Sequence, residues 1–485
     1  VSPPAHKTAI VWFRRDFRIS DNPALATALA RCRHIVPVYI HAPDEDQPWQ
    51  PGSAARWWLH HALTALADAL AAAGSRLIVA RGESLPTLRR LIGATAALEC
   101  HWNRLYEPGT VARDTRVKQA LRQDGIHCES HNAAMLFEPW TVKTGAAEPY
   151  RVFSPYWRRC VPRLADVPAP LPAPQGLPPA PPDIESLPIA SLGLLPRIRW
   201  DQGLADTWQP GAAGAAERLR RFLNHAVAGY DEGRELPAQP GTSRLSPHIH
   251  WGEIGPRQIL AAVRDTCGSD TDGGAGHFVR ELGWREFSMQ MLFHFPRTPT
   301  EPLDPRFAEF PWRTDATGAL LGAWQRGRTG IPIVDAGLRE LWHTGWMHNR
   351  VRMIVASLLT KNLRLPWQEG ARWFWDTLVD ADLASNTQGW QWAAGSGADA
   401  APYFRIFNPV LQGQRFDAAG AYVRRWCPEL ARLPDKLIHQ PWTAKPEQLE
   451  AHDVRLGRDY PEPVVDLKRS REEALAAFGQ LRQRA

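Results

Sequence analysis

Thr8–Phe13 reads T-A-I-V-W-F and runs into the turn R-R-D-F-R-I-S-D-N-P-A-L, Arg14–Leu25. An apolar run rich in β-branched and aromatic residues reads as a buried strand. Similar runs recur at His34–Ile40, Leu77–Ala80 and Ala97–Trp102, with a weaker one at Ile126–Glu129. Between them lie amphipathic stretches at Asn22–Ala30, Ser53–Ala73, Leu85–Ile92 and Thr110–Gln123, with Ser53 a candidate N-cap and Gly74 a stop. Five strands joined by four helical crossovers predict a doubly wound parallel sheet. The first turn lacks G-x-G-x-x-G and the chain lacks G-x-x-x-x-G-K-[ST], which excludes a Rossmann dinucleotide site and a P-loop.

Beyond Phe137 the alternation stops. Val167–Pro182 reads V-P-A-P-L-P-A-P-Q-G-L-P-P-A-P-P, a stiff connector that can be neither helix nor central strand. Helical periodicity returns near Gly211 and holds to the end. The expected organisation is an α/β domain at 5–135, a connector at 136–208 and an all-helical domain at 209–485. A chain of 485 residues is long enough for two cores. The six cysteines are scattered without a C-x-x-C pair, which suits a reducing compartment. No apolar run approaches a membrane span, and V-S-P-P-A-H-K is not a signal peptide, so a cytoplasmic protein is expected.

The net charge of +6 permits a polyanionic partner. Only seven of the 57 basic residues are Lys, and Arg forks suit phosphate, although a GC-rich genome has the same effect. Of the 22 Trp, 15 lie at or beyond Trp200. Many must pack a helical core.

The densest chemistry lies at Asp380–Trp392, D-A-D-L-A-S-N-T-Q-G-W-Q-W, where two carboxylates, an amide and two indoles crowd together. With no metal-ligand cluster and no reactive Cys nearby, that set points to an organic cofactor. Gly241–Pro247, G-T-S-R-L-S-P, leads into a helical stretch His248–Val263. It is either an anion site or simply a Ser246–Pro247 cap pair. In Phe278–Gln290, Glu281, Trp284, Arg285 and Ser288 share a helix face. That face suits a cavity wall, and equally an exposed Glu281–Arg285 pair. In Thr344–Val355, Asn349, Arg352 and Met353 share a face, Arg350 points elsewhere, and Arg352 could balance Asp380 or Asp382. His248, His250, Glu253, His343 and His348 match no common zinc spacing, so no metal is expected. Arg405 sits among aromatics in P-Y-F-R-I-F-N-P (Pro402–Pro409), as a strand-binding loop or a clamped one.

Taken in order, V-W-F-R-R-D-F-R-I-S-D-N-P-A-L, G-T-S-R-L-S-P, E-L-G-W-R-E-F, T-G-I-P-I-V-D-A-G-L-R-E-L, T-G-W-M-H-N-R-V-R-M, D-A-D-L-A-S-N and R-I-F-N-P resemble the photolyase/cryptochrome flavoproteins over nearly the whole chain. The resemblance implies an α/β domain linked to a helical FAD domain. It implies that Tyr230, Thr242, Ser243, Arg244, Leu245 and Ser246 hold the FAD phosphates and ribose, with Phe278 and Glu281 also at the cofactor. Arg285, Asn349, Arg352, Asp380 and Asp382 would surround its rings, and Asn386 would face flavin N5. Glu281, Trp284, Met353 and Trp392 would receive a flipped pyrimidine dimer, with Asn349 and Asn386 completing the catalytic set. Arg234, Arg350 and Arg405 would meet DNA phosphates, and Trp390, Trp367 and Trp312 would relay electrons to the flavin.

The implied activity is light-driven repair of cyclobutane pyrimidine dimers in UV-damaged DNA by excited reduced FAD, in a monomer. The alternative is a cryptochrome-type photoreceptor without repair activity. His348-Asn349 stands where (6-4) photolyases carry His-His, and Leu456–Ala485 is shorter than a signalling tail; both favour dimer repair. A second, antenna chromophore is expected, methenyltetrahydrofolate ahead of a deazaflavin. Gly109-Thr110 replaces the Asn-Glu pair of folate-binding relatives, which puts the usual folate pose in doubt.

Overall fold

A computed structural model describes residues 7–400 and 404–483. The opening V-S-P-P-A-H, Pro402 and Tyr403 of the aromatic loop, and the last two residues lie outside the described residues. The five expected strands form as β1 (Thr8–Phe13), β2 (His34–His41), β3 (Ile78–Arg81), β4 (Glu99–Asn103) and β5 (His127–His131). All pairs are parallel and the order is β3-β2-β1-β4-β5, so the direction of winding reverses between β1 and β4. The crossovers are α1 (Pro23–Arg31), α2 (Ser53–Ala72), α3 (Ser84–Thr95) and α4 (Pro108–Gln123). β1 is buried along its whole length, as a central strand covered on both faces must be.

Two end signals resolve differently from the sequence reading. Gly52, not Ser53, caps α2; Ser53 is its first helical residue, and both its N–H and its hydroxyl donate to Asp376 Oδ1 of the helical domain. Leu245, not Ser246, is the N-cap of the short helix Ser246–His250, and that helix does not continue to Val263. The chain turns at Gly252 (φ 64°) before a second helix, Pro256–Cys267. A side chain there is excluded, because a Cβ would lie 2.2 Å from the Arg15 carbonyl oxygen.

The connector is not a free spacer. Its first part carries a helix, α5 (Phe153–Cys160), and Phe137, Phe153, Tyr156 and Leu164 pack into one core with Phe278 and Val279 of the helical domain. Its later part lays Leu177, Leu192, Leu204 and Trp208 onto the core of the α/β domain. Apolar residues spaced among the prolines drive this, since each gains about 25 cal/mol per Å² on leaving water.

The turn after β1 has become a clamp between the two domains. Buried Arg18 donates to the carbonyls of Gly252 (2.8 Å) and Ala133 (2.9 Å). Indoles complete the junction: Trp58 Nε1 donates to Glu253 Oε1 at 3.0 Å, and Trp208 Nε1 to the Thr344 carbonyl at 2.7 Å. His248 and Glu253 pair inside this junction, which gives His248 a structural role.

Candidate cofactor and DNA site

The core of the site joins three segments that are far apart in sequence. Asp380, buried, accepts from Ser246 Oγ at 2.6 Å and from Arg352 Nη2 at 2.8 Å. Arg352, expected to balance Asp380 or Asp382, takes Asp380, and its Nε donates to the Met347 carbonyl at 2.8 Å. Trp346 Nε1 donates to the same Ser246 hydroxyl (3.3 Å), and its ring lies under the guanidinium of Arg244 at 4.5 Å. Arg244 holds a left-handed backbone, φ 51°, within a loop whose other hydroxyls, on Thr242 and Ser243, are half-buried. Leu245 is buried beneath that loop.

Asp382 caps the helix Leu383–Ala394 by accepting the Ser385 N–H at 2.8 Å. Burial opposes its charge, yet His250 (3.6 Å), Arg285 and the Ser385 N–H hold its carboxyl well below the usual carboxylate range. Asn386, one turn on, spends its amide N–H on the Ala371 carbonyl at 3.0 Å, which fixes the orientation of the side chain. Asn349 is exposed and Met353 half-buried on the helix Asn349–Ser357.

His348, the N-cap of that helix, is buried, accepts the Arg350 N–H at its Nδ1 (3.2 Å) and leaves Nε2 without a partner. Burial, then Arg244, Arg350, Arg352 and Arg234, push its pKa down to about 3, so the ring is neutral with a proton on Nε2. Hydroxyls and Arg244 on one loop, a fixed amide, a salt-bridged carboxylate and an unspent buried donor form a set that fits a dinucleotide with anionic and hydrogen-bonding ring edges.

Several expected residues are engaged differently from the sequence reading. Tyr230 and Phe278 sit in the core with Phe222, ring centroids 5.4 Å and 4.5 Å from it. The Arg285 Nη1 donates to the Ala134 carbonyl at 2.7 Å, so the helix face it shares with Glu281 is no exposed ion pair. Glu281 is not a free carboxylate: it pairs with Arg234, which also lies beside Glu235. Arg350 is bound by Glu235 and lies over Phe416 at 4.5 Å. Two of the three arginines expected on DNA phosphates are thus held by acids, a pairing between distant segments that the sequence does not announce.

Trp284 stacks on Phe153 (3.7 Å, 10°), which covers one face of the indole. Trp392 is half-buried with Arg405 over its ring at 5.5 Å, so Arg405 borders the aromatic wall. Among the relay candidates, Trp390 is buried and its direct ring neighbours are Phe374 (5.0 Å) and Trp324 (6.0 Å). Trp367, also buried, begins the helix Trp367–Thr377 that packs across Trp390. Trp312 is partly buried beside Phe310 at 4.5 Å. Sequence reasoning passed over Trp346 and weighed His250 only as a metal ligand, not as the partner of Asp382; no local pattern marks an indole as the floor of a distant loop.

The model of the FAD binding domain of DNA photolyase matches residues 278–480, and that of DNA photolyase matches residues 9–175. The deoxyribodipyrimidine photo-lyase of Agrobacterium fabrum is 46% identical, covering 98% of this chain and 99% of that protein. The chain belongs to the photolyase/cryptochrome family. A crystal structure of a bacterial class III photolyase from Agrobacterium tumefaciens superposes with a TM-score of 0.94 at 45% identity, covering 99% of each chain. Cryptochrome-1 of Arabidopsis thaliana is 38% identical over 98% of this chain and 70% of its own length. The helical domain is therefore an FAD-binding domain of this family, with the five-stranded domain in front of it. No helix among the described residues is long and apolar enough to cross a membrane.

A cavity of about 480 Å³ opens at the carboxyl ends of β1, β2 and β4, between the sheet and the helical domain. This is the place where open α/β sheets bind ligands. Trp12, Tyr39, Trp251 and Trp375 supply flat walls, Asp46 and Glu107 carboxylates, and Arg113 a cation. Gly109 and Thr110 lie in the same wall.

Proposed function

We propose that this chain is a light-driven, FAD-dependent enzyme that splits cyclobutane pyrimidine dimers in DNA. The observation that carries the reading is the meeting of Ser246, Arg352 and buried Asp380 in one cluster, with Asp380 just ahead of the helix Leu383–Ala394 that bears Trp392. Full-length similarity to a photolyase supports it.

In this reading Asp380 and Arg352 neutralise one another and hold the helix Asn349–Ser357 against the G-T-S-R-L-S loop. That loop presents hydroxyls and Arg244 to the phosphates. Bound in this cradle, reduced FAD supplies the electron that light drives into the dimer. Asn386, oriented through Ala371, presents its amide to the flavin edge. Trp392 and the free face of Trp284 stack on the extruded pyrimidines, offsetting an unstacking cost of a few kcal/mol. Glu281 accepts from a thymine edge, with Arg234 as its counter-charge. Arg234, Arg350 and Arg405 position the strand through its phosphates.

The sheet-end cavity is assigned to the antenna. Asp46 and Glu107 suit the amino and N–H edge of a pterin, which favours methenyltetrahydrofolate over a deazaflavin. An additional near-ultraviolet absorption band in the purified protein is the expected signature.

Repair is tested by illuminating fully reduced protein with blue light on an oligothymidylate that contains dimers. Restored thymine absorbance near 260 nm is expected. Dimers that persist under reduced flavin would leave the photoreceptor reading, which the similarity to plant cryptochromes favours.

A further inference from the structure

One cluster lies apart from both ligand sites, on the outer edge of the sheet. In the β4–β5 pairing His101 stands opposite Glu129, and Asn103 opposite His131. Side chains alternate along a strand, so Glu129 and His131 project from the same face as His101. One donor atom from each of His101, Glu129 and His131 falls within 4.8 Å of the others.

The two imidazoles are left unsatisfied. His101 is fully buried; one ring nitrogen, Nε2, meets Glu99 Oε2 at 3.0 Å and the other, Nδ1, has no partner. His131 Nε2 is likewise buried without a partner. Two adjacent rings with unspent nitrogens are costly to bury.

We propose that His101, Glu129 and His131 form a binding site for a divalent transition metal of the zinc class. Two imidazoles with one carboxylate suit zinc, nickel or copper and disfavour magnesium and calcium. Donors about 2.0–2.2 Å from an ion lie about 3.3–3.6 Å apart, which small side-chain rotations reach from the present spacing. Glu99 supplies the carboxylate that orients a ligating histidine through its other nitrogen. It is itself anchored by Lys7 (3.1 Å) and Arg31 (3.0 Å).

His127 projects from the same face of β5, its Nε2 3.7 Å from Glu129 Oε2, and offers a fourth ligand. The Glu129 side chain is 42% exposed, which leaves a route in from solvent. Arg31 now faces Glu129 at 3.4 Å, is 40% exposed, and swings out when the ion takes its place. Such an ion ties the edge strand β5 to β4. His127, Glu129 and His131 alternate along β5, but no local spacing adds His101, which lies 28 positions before Glu129 and meets it only through parallel pairing.

The test uses the flavin-containing full chain, stripped with a chelator and titrated with Zn²⁺ against a chromophoric competitor. One equivalent bound with micromolar or tighter affinity is expected. His131→Ala and Glu129→Gln, both at the open edge, should each weaken it at least about 10-fold, and Glu99→Gln by about 10-fold, with flavin content and far-UV circular dichroism unchanged. Zn²⁺ should raise the thermal midpoint of the parent and not of His131→Ala. Failure to bind one equivalent, or equal binding by His131→Ala and Glu129→Gln, overturns the assignment.

Discussion

Lowering the pH from 7 to 5 should destabilise this protein by about 2 kcal/mol through His348 alone. Its ring is 2% exposed, and burial together with four neighbouring arginines brings its pKa from 6.5 to about 3. Below pH 6.5 the unfolded chain takes up a proton that the folded ring refuses until about pH 3. Folding stability is therefore complete above pH 6.5 and falls by about 1.4 kcal/mol for each pH unit below it. At pH 5 the deficit spans about 1.5 units, hence about 2 kcal/mol. His348→Asn removes the titration and keeps an acceptor for the Arg350 N–H, since Asn is among the best N-caps.

Thermal midpoints of the two proteins, each with flavin bound, should be compared at pH 7 and pH 5. Taking their difference cancels acid-sensitive groups common to both, such as Glu340, whose carboxyl burial raises. The difference should move by about 2–4 °C in favour of His348→Asn at pH 5. Parallel profiles would mean that His348 is protonated at an ordinary pH, and the reading of a neutral ring with an unspent Nε2–H would fall.

Two further outcomes are expected. Gly370→Ala places a methyl carbon 2.0 Å from Trp390 Cη2, where ordinary contact is about 3.5–4.0 Å; it should slow photoreduction of oxidised flavin, as Trp390→Phe should, while chemically reduced enzyme keeps its repair activity, and loss of repair in both would give Trp390 another role. Arg350→Ala should weaken binding of dimer-containing DNA and flatten its salt slope by about 0.9, whereas Glu235→Gln, which frees Arg350, should tighten it; an unchanged slope in Arg350→Ala would mean no phosphate contact.

The strands were legible within two residues because a parallel sheet buried on both faces leaves an unbroken apolar run, and the two widest misses are β4 and the half-exposed edge strand β5. Helix starts were less so. At Ser53 and Ser246 a hydroxyl in the right place looked like a cap, but each was claimed by a carboxylate far along the chain, Asp376 and Asp380. The candidate cofactor residues were legible as motifs, and the roles expected of them came through resemblance. Charge alone narrowed the partner of Arg352 to Asp380 or Asp382, since a buried carboxylate needs one, and the fold selected Asp380.

Composition, periodicity and motif order were enough for a parallel-sheet domain followed by a helical FAD-binding domain. Those properties are carried by neighbours along the chain and survive in one dimension. The restraint of Arg234 and Arg350 by Glu281 and Glu235, the stacking of Trp284 on Phe153, and the meeting of His101 with Glu129 and His131 came from the tertiary structure. Each joins residues separated by dozens of positions or more, and such contacts depend on how strands register and helices cross, which no local pattern encodes.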